Sequence, residues 1–325
     1  MSNLRRLAGG IFATAAVLAV LAVGAFRQPI LDQFAVLTYQ PSVEVSQLAE
    51  RGGLSERGRF FFYVGRPELV DSAEFNEACP RVEESSPILG CYSPLASTIH
   101  IYNVADTRLD GIKEVTAAHE MLHVAYDRLS ESERKRVDSE LDLAYQRLKN
   151  PRLEERMAYY DRAEPGSHFN ELHSIIPTEF SEIGSELERY YAKLFDDRQK
   201  IVALHKSYSS TFEQLENEQR NLGEALRQAE SRIAQLHSQY NADIAQLNRD
   251  ILSFNQRASS GGFSSESEFN AVRNQLVSRS SSLELRRRQL AAEIERYNSD
   301  VERFNSLGGQ MRQLNQSLDS LEAVN

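Results

Sequence analysis

From residue 199 to 321 the apolar residues recur with a period that a long helical pair would bury. Ile201, Leu204, Tyr208, Phe212 and Leu215 lead into Leu222, Leu226, Ala229, Ile233, Leu236, Tyr240, Ile244, Leu247, Ile251 and Phe254. Steps of three and four place such residues on one stripe of an α-helix, with stutters of four plus four such as Leu236-Tyr240-Ile244. A polar break at Ser259-Ser260-Gly261-Gly262-Phe263-Ser264-Ser265 interrupts the stripe, which resumes at Phe269, Val272 and Leu276 and runs on to Leu314, Leu318 and Leu321. The pattern predicts two long helices folded back as an antiparallel coiled-coil hairpin over 199–325, each arm ~55 residues and roughly 80 Å long. Gly308 falls where a seam residue is due, which makes the distal second helix the expected weak point.

The other end of the chain is equally biased. Leu7 to Phe26 is a run of 20 residues without a charge, preceded by Arg5 and Arg6 and followed by Arg27. As a helix it is long enough to cross a hydrocarbon core of ~30 Å. The charge asymmetry favours a cytoplasmic N-terminus and an exported remainder, so residues 1–28 read as a transmembrane anchor of a single-pass membrane protein. The rival reading is a cleaved signal peptide, with Val23-Gly24-Ala25 offering small residues at the cut and a secreted product. The third reading is a buried core helix, against which the lack of polar alternation argues; the other two place the remainder outside the cytoplasm. In such a compartment Cys79 and Cys91, 12 residues apart across a Pro-containing loop, are expected to form a disulfide.

That leaves residues 29–198 for a compact domain. Arg59-Phe60-Phe61-Phe62-Tyr63-Val64 reads as a strand closed by Gly65 and Pro67, and 98–104 as a second strand. From Asp110, a plausible N-cap, the pattern turns helical through Ile112, Val115, His119, Leu122 and Tyr126. Ser130 and Glu133 form a capping box for the next helix, which should end before Pro151. Further helices follow, punctuated by Pro165-Gly166 and Pro177. The fold class expected is α+β and mostly helical. With 37 basic against 47 acidic residues the net charge is −10, which argues against a nucleic-acid partner.

Residues 119–123 read His119-Glu120-Met121-Leu122-His123. On a helix, positions i and i+4 share a face, so both imidazoles can reach one ion at ~2.0–2.1 Å. Glu120, turned by about 100°, can reach a water on that ion without being a ligand. Both histidines fall on the apolar stripe of their helix, where unpaired imidazoles would be costly. The competing reading is a core helix whose histidines are satisfied by hydrogen bonds.

With this motif after a strand, the sequence resembles the zincin metallopeptidases. Leu129 stands where the metzincin extension would place a third His, so the gluzincin class, which takes a Glu from a later helix, is the closer match. The resemblance implies Glu171, 48 residues after His123 in Asn170-Glu171-Leu172-His173-Ser174, as third zinc ligand. Glu179 is the alternative and His173 a further one. Ile175 occupies the place of the family's acidic residue four positions on. The resemblance implies a Zn2+-dependent endopeptidase with His119 and His123 as ligands and Glu120 as general base, acting on a protein or peptide substrate. Its coil would engage a partner or a second copy. A different class of function is an envelope scaffold whose coil does the work and whose zincin-like domain is structural or inactive.

Overall fold

The computed structural model describes residues 27–80 and 88–321. The apolar run Leu7–Phe26 lies outside the described residues; among those described, no helix is long and apolar enough to cross a membrane. The protein is mostly helical with a small sheet. Helix α1 is described from 27 to 38, followed by α2 (Val43–Arg51), α3 (Glu56–Val64), β1 (Glu68–Val70) and α4 (Ser72–Ala78). Next come β2 (Gly90–Ser93), β3 (Thr98–Tyr102) and α5 (Ile112–Asp127). The rest is helical: α6 (Glu131–Leu148), α7 (Pro151–Ala163), α8 (His168–Glu179), α9 (Ser185–Tyr191), α10 (Arg198–Ser259) and α11 (Glu266–Leu318).

The expected strand over 59–64 is instead helix α3. Ser55 caps it by accepting from the Gly58 N–H at 3.1 Å, while Phe61, Phe62 and Val64 are buried and Phe60 and Tyr63 half-buried. A short apolar run carries no period that separates strand from buried helix, and here the cap and the packing on several sides decide for helix. The second strand is found, as β3. It is central in a sheet of order β1-β3-β2, parallel to β1 and antiparallel to β2. Ile99 and Ile101 of β3 point into the main core with Val115, Ala118 and Leu122 of α5. Tyr102, on the opposite face, meets Phe75 of α4 with ring centroids 5.8 Å apart. The sheet is thus held between α4 and α5.

Helix α5 starts one residue later than the sequence implies. Its N-cap is Gly111, at φ 97°, and a Cβ there would stand 2.9 Å from the Leu204 side chain. Only glycine combines that backbone with so close an approach. Asp110 instead receives the Arg51 guanidinium at 2.8 Å, and the same Arg51 reaches the buried Glu114 at 2.6 Å. The Ser130–Glu133 capping box is present and α6 ends at Leu148.

Helix α8 continues through Pro177 to Glu179. A proline there cannot donate to the His173 carbonyl four residues back, and that carbonyl accepts the buried Tyr191 hydroxyl at 2.9 Å instead. Arg198, 5% exposed, then fastens the start of α10. Its guanidinium donates to the carbonyls of Pro177, Phe180 and Ser181 and to the Glu188 carboxylate.

The described residues form two compact units: those from 27 to 211 together with 314–321, and Phe212–Gln313. The first unit takes in the opening turns of α10 because Ile201 and Val202 are buried in its core. In the second unit α10 and α11 run antiparallel, their turn at 260–265 where the polar break predicts it. Arg279–Asp250, Arg286–Asp243 and Arg303–Glu218 join the arms, partner numbers rising on one arm as they fall on the other. At the tip Phe254, Phe263 and Phe269 cluster with ring centroids 5.1–5.3 Å apart. Helix α11 passes through Gly308 unbroken, and a Cβ there would lie 3.3 Å from the Gln219 amide.

Candidate metal centre

Helices α5 and α8 pack face to face and bring the chemistry together. One turn of α5 separates His119 and His123, whose rings meet edge-on with centroids 4.8 Å apart. One donor atom each of His119, Glu120 and His123 lies within 4.8 Å of the others. From the first turn of α8, Glu171 faces both imidazoles. Its Oε2 is 3.6 Å from His119 Nε2 and its Oε1 3.7 Å from His123 Nε2. Two ligands held tetrahedrally at ~2.0–2.1 Å from one zinc stand about 3.4 Å apart, so these spacings suit a shared ion.

The surroundings support a cation. Glu171 is 4% exposed, and its Oε2 is buried without a hydrogen-bond partner. Burial by itself raises the Glu171 carboxyl, but His123, His119 and Arg156 outweigh it and hold it below the usual carboxylate range. Burial would likewise lower His123, yet Glu171, Glu120 and the Asn170 acceptor raise it. Both shifts mean that a positive charge is favoured between these groups.

His123 is oriented from behind. Its Nδ1 lies 3.0 Å from Asn170 Oδ1 and 3.4 Å from Ser174 Oγ. A proton on Nδ1 donated to Asn170 leaves the Nε2 lone pair free for a metal. Asn170 and Ser174 thus hold the His123 ring from behind, while Ile175, four residues beyond Glu171, is fully buried in the core. Their spacing of four on one helix was visible in the sequence, their partner was not.

Glu120 is 5% exposed, and burial, reinforced by Glu171, raises its carboxyl despite the two imidazoles. Gly90 of β2 lies directly over it: a Cβ at Gly90 would stand 2.7 Å from Glu120 Oε1 and 2.6 Å from the Thr116 methyl. Beside this point opens a cleft of about 200 Å³ lined by Leu89, Gly90, His119, Glu120, Tyr160 and Tyr208. Burial, with the anionic Glu171, pushes the Tyr160 hydroxyl far up, so it stays protonated and can donate.

The alternative ligands have other partners. The Glu179 carboxylate takes both arms of the Arg156 guanidinium, at 2.8 and 2.7 Å, with His205 Nε2 at 3.5 Å. His173 is fully buried, its Nε2 2.9 Å from the Tyr190 hydroxyl, and burial pushes it down to about 3. It stays neutral among Tyr126, Tyr190 and Tyr191. Cys79 and Cys91 are joined as a disulfide, as the sequence predicts. Comparisons with protein-family models, with curated proteins and with solved structures find no match.

Proposed function

We propose that the chain is a membrane-anchored, extracytoplasmic zinc-dependent metallopeptidase. The observation that carries this reading is the Glu171 carboxylate, buried and facing the Nε2 atoms of both histidines of the HExxH helix at 3.6 and 3.7 Å. His119, His123 and Glu171 would hold the ion, and Asn170 would fix the His123 tautomer. Zinc bound there would lower the pKa of a coordinated water towards ~7 and polarise a substrate carbonyl. Glu120, whose carboxyl is raised by burial, takes the proton from the attacking water and returns it to the leaving amine. The protonated Tyr160 in the same cleft is placed to donate to the oxygen on which negative charge develops. The cleft, lined by Gly90 of β2 and by Tyr159, Tyr160 and Tyr208, would take the part of a peptide substrate next to the ion. The charge pattern around residues 7–26 supports the anchor, and the disulfide supports an oxidising compartment.

Metal analysis of the unreduced full chain tests the centre. About one zinc per chain is expected, lost in His119→Ala and in Glu171→Ala and kept in Glu120→Gln. Cleavage of a peptide library by the parent and its loss in Glu120→Gln would tie the site to hydrolysis. A parent chain that carries no metal sinks the proposal. A chain that carries zinc but cleaves nothing leaves the coil as the working part.

A further inference from the structure

The sheet carries a second group of metal-ligating side chains on the face turned away from α5. Strand register sets Cys91 of β2 directly across from His100 of β3, and His100 directly across from Glu68 of β1. Period-two alternation puts all three on one face. Cys79, at the end of α4, reaches the same place, and one donor atom each of Cys79, Cys91 and His100 lies within 4.8 Å of the others. Two features of His100 have no part in a disulfide. Its Nδ1 is buried and without a hydrogen-bond partner, and its Nε2 stands 3.9 Å from Glu68 Oε2. A histidine beside two sulfurs, with one ring nitrogen lacking a partner and a carboxylate near the other, has the donors that a metal site needs.

We propose that Cys79, Cys91 and His100 form a second metal site, selective for zinc or another thiolate-seeking divalent ion, which exists when the Cys79–Cys91 disulfide is reduced. A dithiol reductant supplies two electrons and two protons, opens the S–S bond and closes to its own disulfide. Metal binding then releases the two thiol protons as both cysteines bind as thiolates. Two thiolates and one imidazole make a Cys2His set, with the fourth position left to water, and Glu68 orients the His100 ring. Tetrahedral coordination at ~2.3 Å per sulfur sets the two sulfurs about 3.8 Å apart, so metal binding would draw Cys79 and Cys91 away from their disulfide spacing. The reduction site adjoins the HExxH cleft through β2, whose Gly90 lies against Glu120 while the neighbouring Cys91 faces the other way. This proposal stands independently of the peptidase reading.

Cobalt(II) reports the site in the intact full chain, because thiolate-to-cobalt charge transfer in the near ultraviolet requires sulfur and the HExxH centre has none. Before reduction no such band should form. After treatment with a phosphine reductant under anaerobic conditions, one equivalent of cobalt should produce it, and zinc should displace it. Glu68→Gln should weaken the sulfur-bound cobalt about 10- to 100-fold and His100→Gln by more. Re-oxidation should release the metal. The proposal fails if the reduced chain shows no charge-transfer band. It also fails if His100→Gln binds cobalt through sulfur as tightly as the parent, with helical circular dichroism unchanged in both.

Discussion

At the residue scale the centre turns on which carboxylate is free to meet a cation. Glu171 and Glu179 sit at the two ends of α8, and both belong to the same neighbourhood. Arg156 satisfies Glu179 with two hydrogen bonds, whereas Glu171 keeps a buried oxygen without one. For the proposed zinc centre, Glu179→Gln should therefore leave the metal content as in the parent while losing roughly 1–3 kcal/mol of stability, because Arg156 loses an ionic partner. Glu171→Gln should show the opposite balance, and paired metal analysis and denaturant unfolding would read both. Gly90 is a second decisive position. An alanine there pushes on Glu120 from 2.7 Å; with Glu120 as the general base proposed above, a misplacement of less than 1 Å would cost on the order of tenfold in kcat. Equal kcat in Gly90→Ala and the parent would show that the strand does not position Glu120.

Among the elements, α8 shows how a local rule is overridden by a neighbour. Pro177 should end a helix, but the Tyr191 hydroxyl takes over the carbonyl that the proline leaves free, and the helix runs on to deliver Glu179 to Arg156. The hairpin tip shows local rules holding without help. Glu268 accepts from the Ser264 N–H at 2.8 Å, from its hydroxyl at 2.6 Å and from Arg257 at 2.6 Å. The Ser264 and Arg257 hydrogen bonds hold its carboxyl at about 2, below the ordinary 4.5. A depressed carboxylate stabilises the fold above its unfolded pKa and loses that contribution as pH falls through its folded one. The turn should therefore fray between about pH 4.5 and 2, seen as faster amide exchange over 260–268. Glu268→Gln should abolish that pH dependence while leaving exchange near neutral pH faster than in the parent.

On the scale of the whole molecule, the sheet lies between the His119–Glu171 cluster and the Cys79–Cys91 disulfide. The 12-residue separation of Cys79 and Cys91 limits the disulfide's effect to about 3 kcal/mol by loop-closure entropy. Cys79→Ala with Cys91→Ala should lower the globular unit's unfolding free energy by about that much in denaturant, with the hairpin's own transition unmoved. A shift of both transitions would mean that the two units unfold as one. Much of this molecule was legible in the chain. The seam residues, the turn at 259–265, the capping box, β3, the disulfide and the HExxH helix each rest on period, spacing or local hydrogen bonding, which neighbours in sequence decide among themselves. Helix α3, the Gly111 cap, the passage through Pro177 and the sorting of Glu171 from Glu179 do not. Helix α3 depends on packing from several sides, and the other three on a group elsewhere in the chain: Tyr191 for the proline, Leu204 for the glycine, Arg156 for the spare glutamate. Burial removes water as the default partner, so what a polar group meets there is decided by packing between distant segments, and only the tertiary structure brings those segments together.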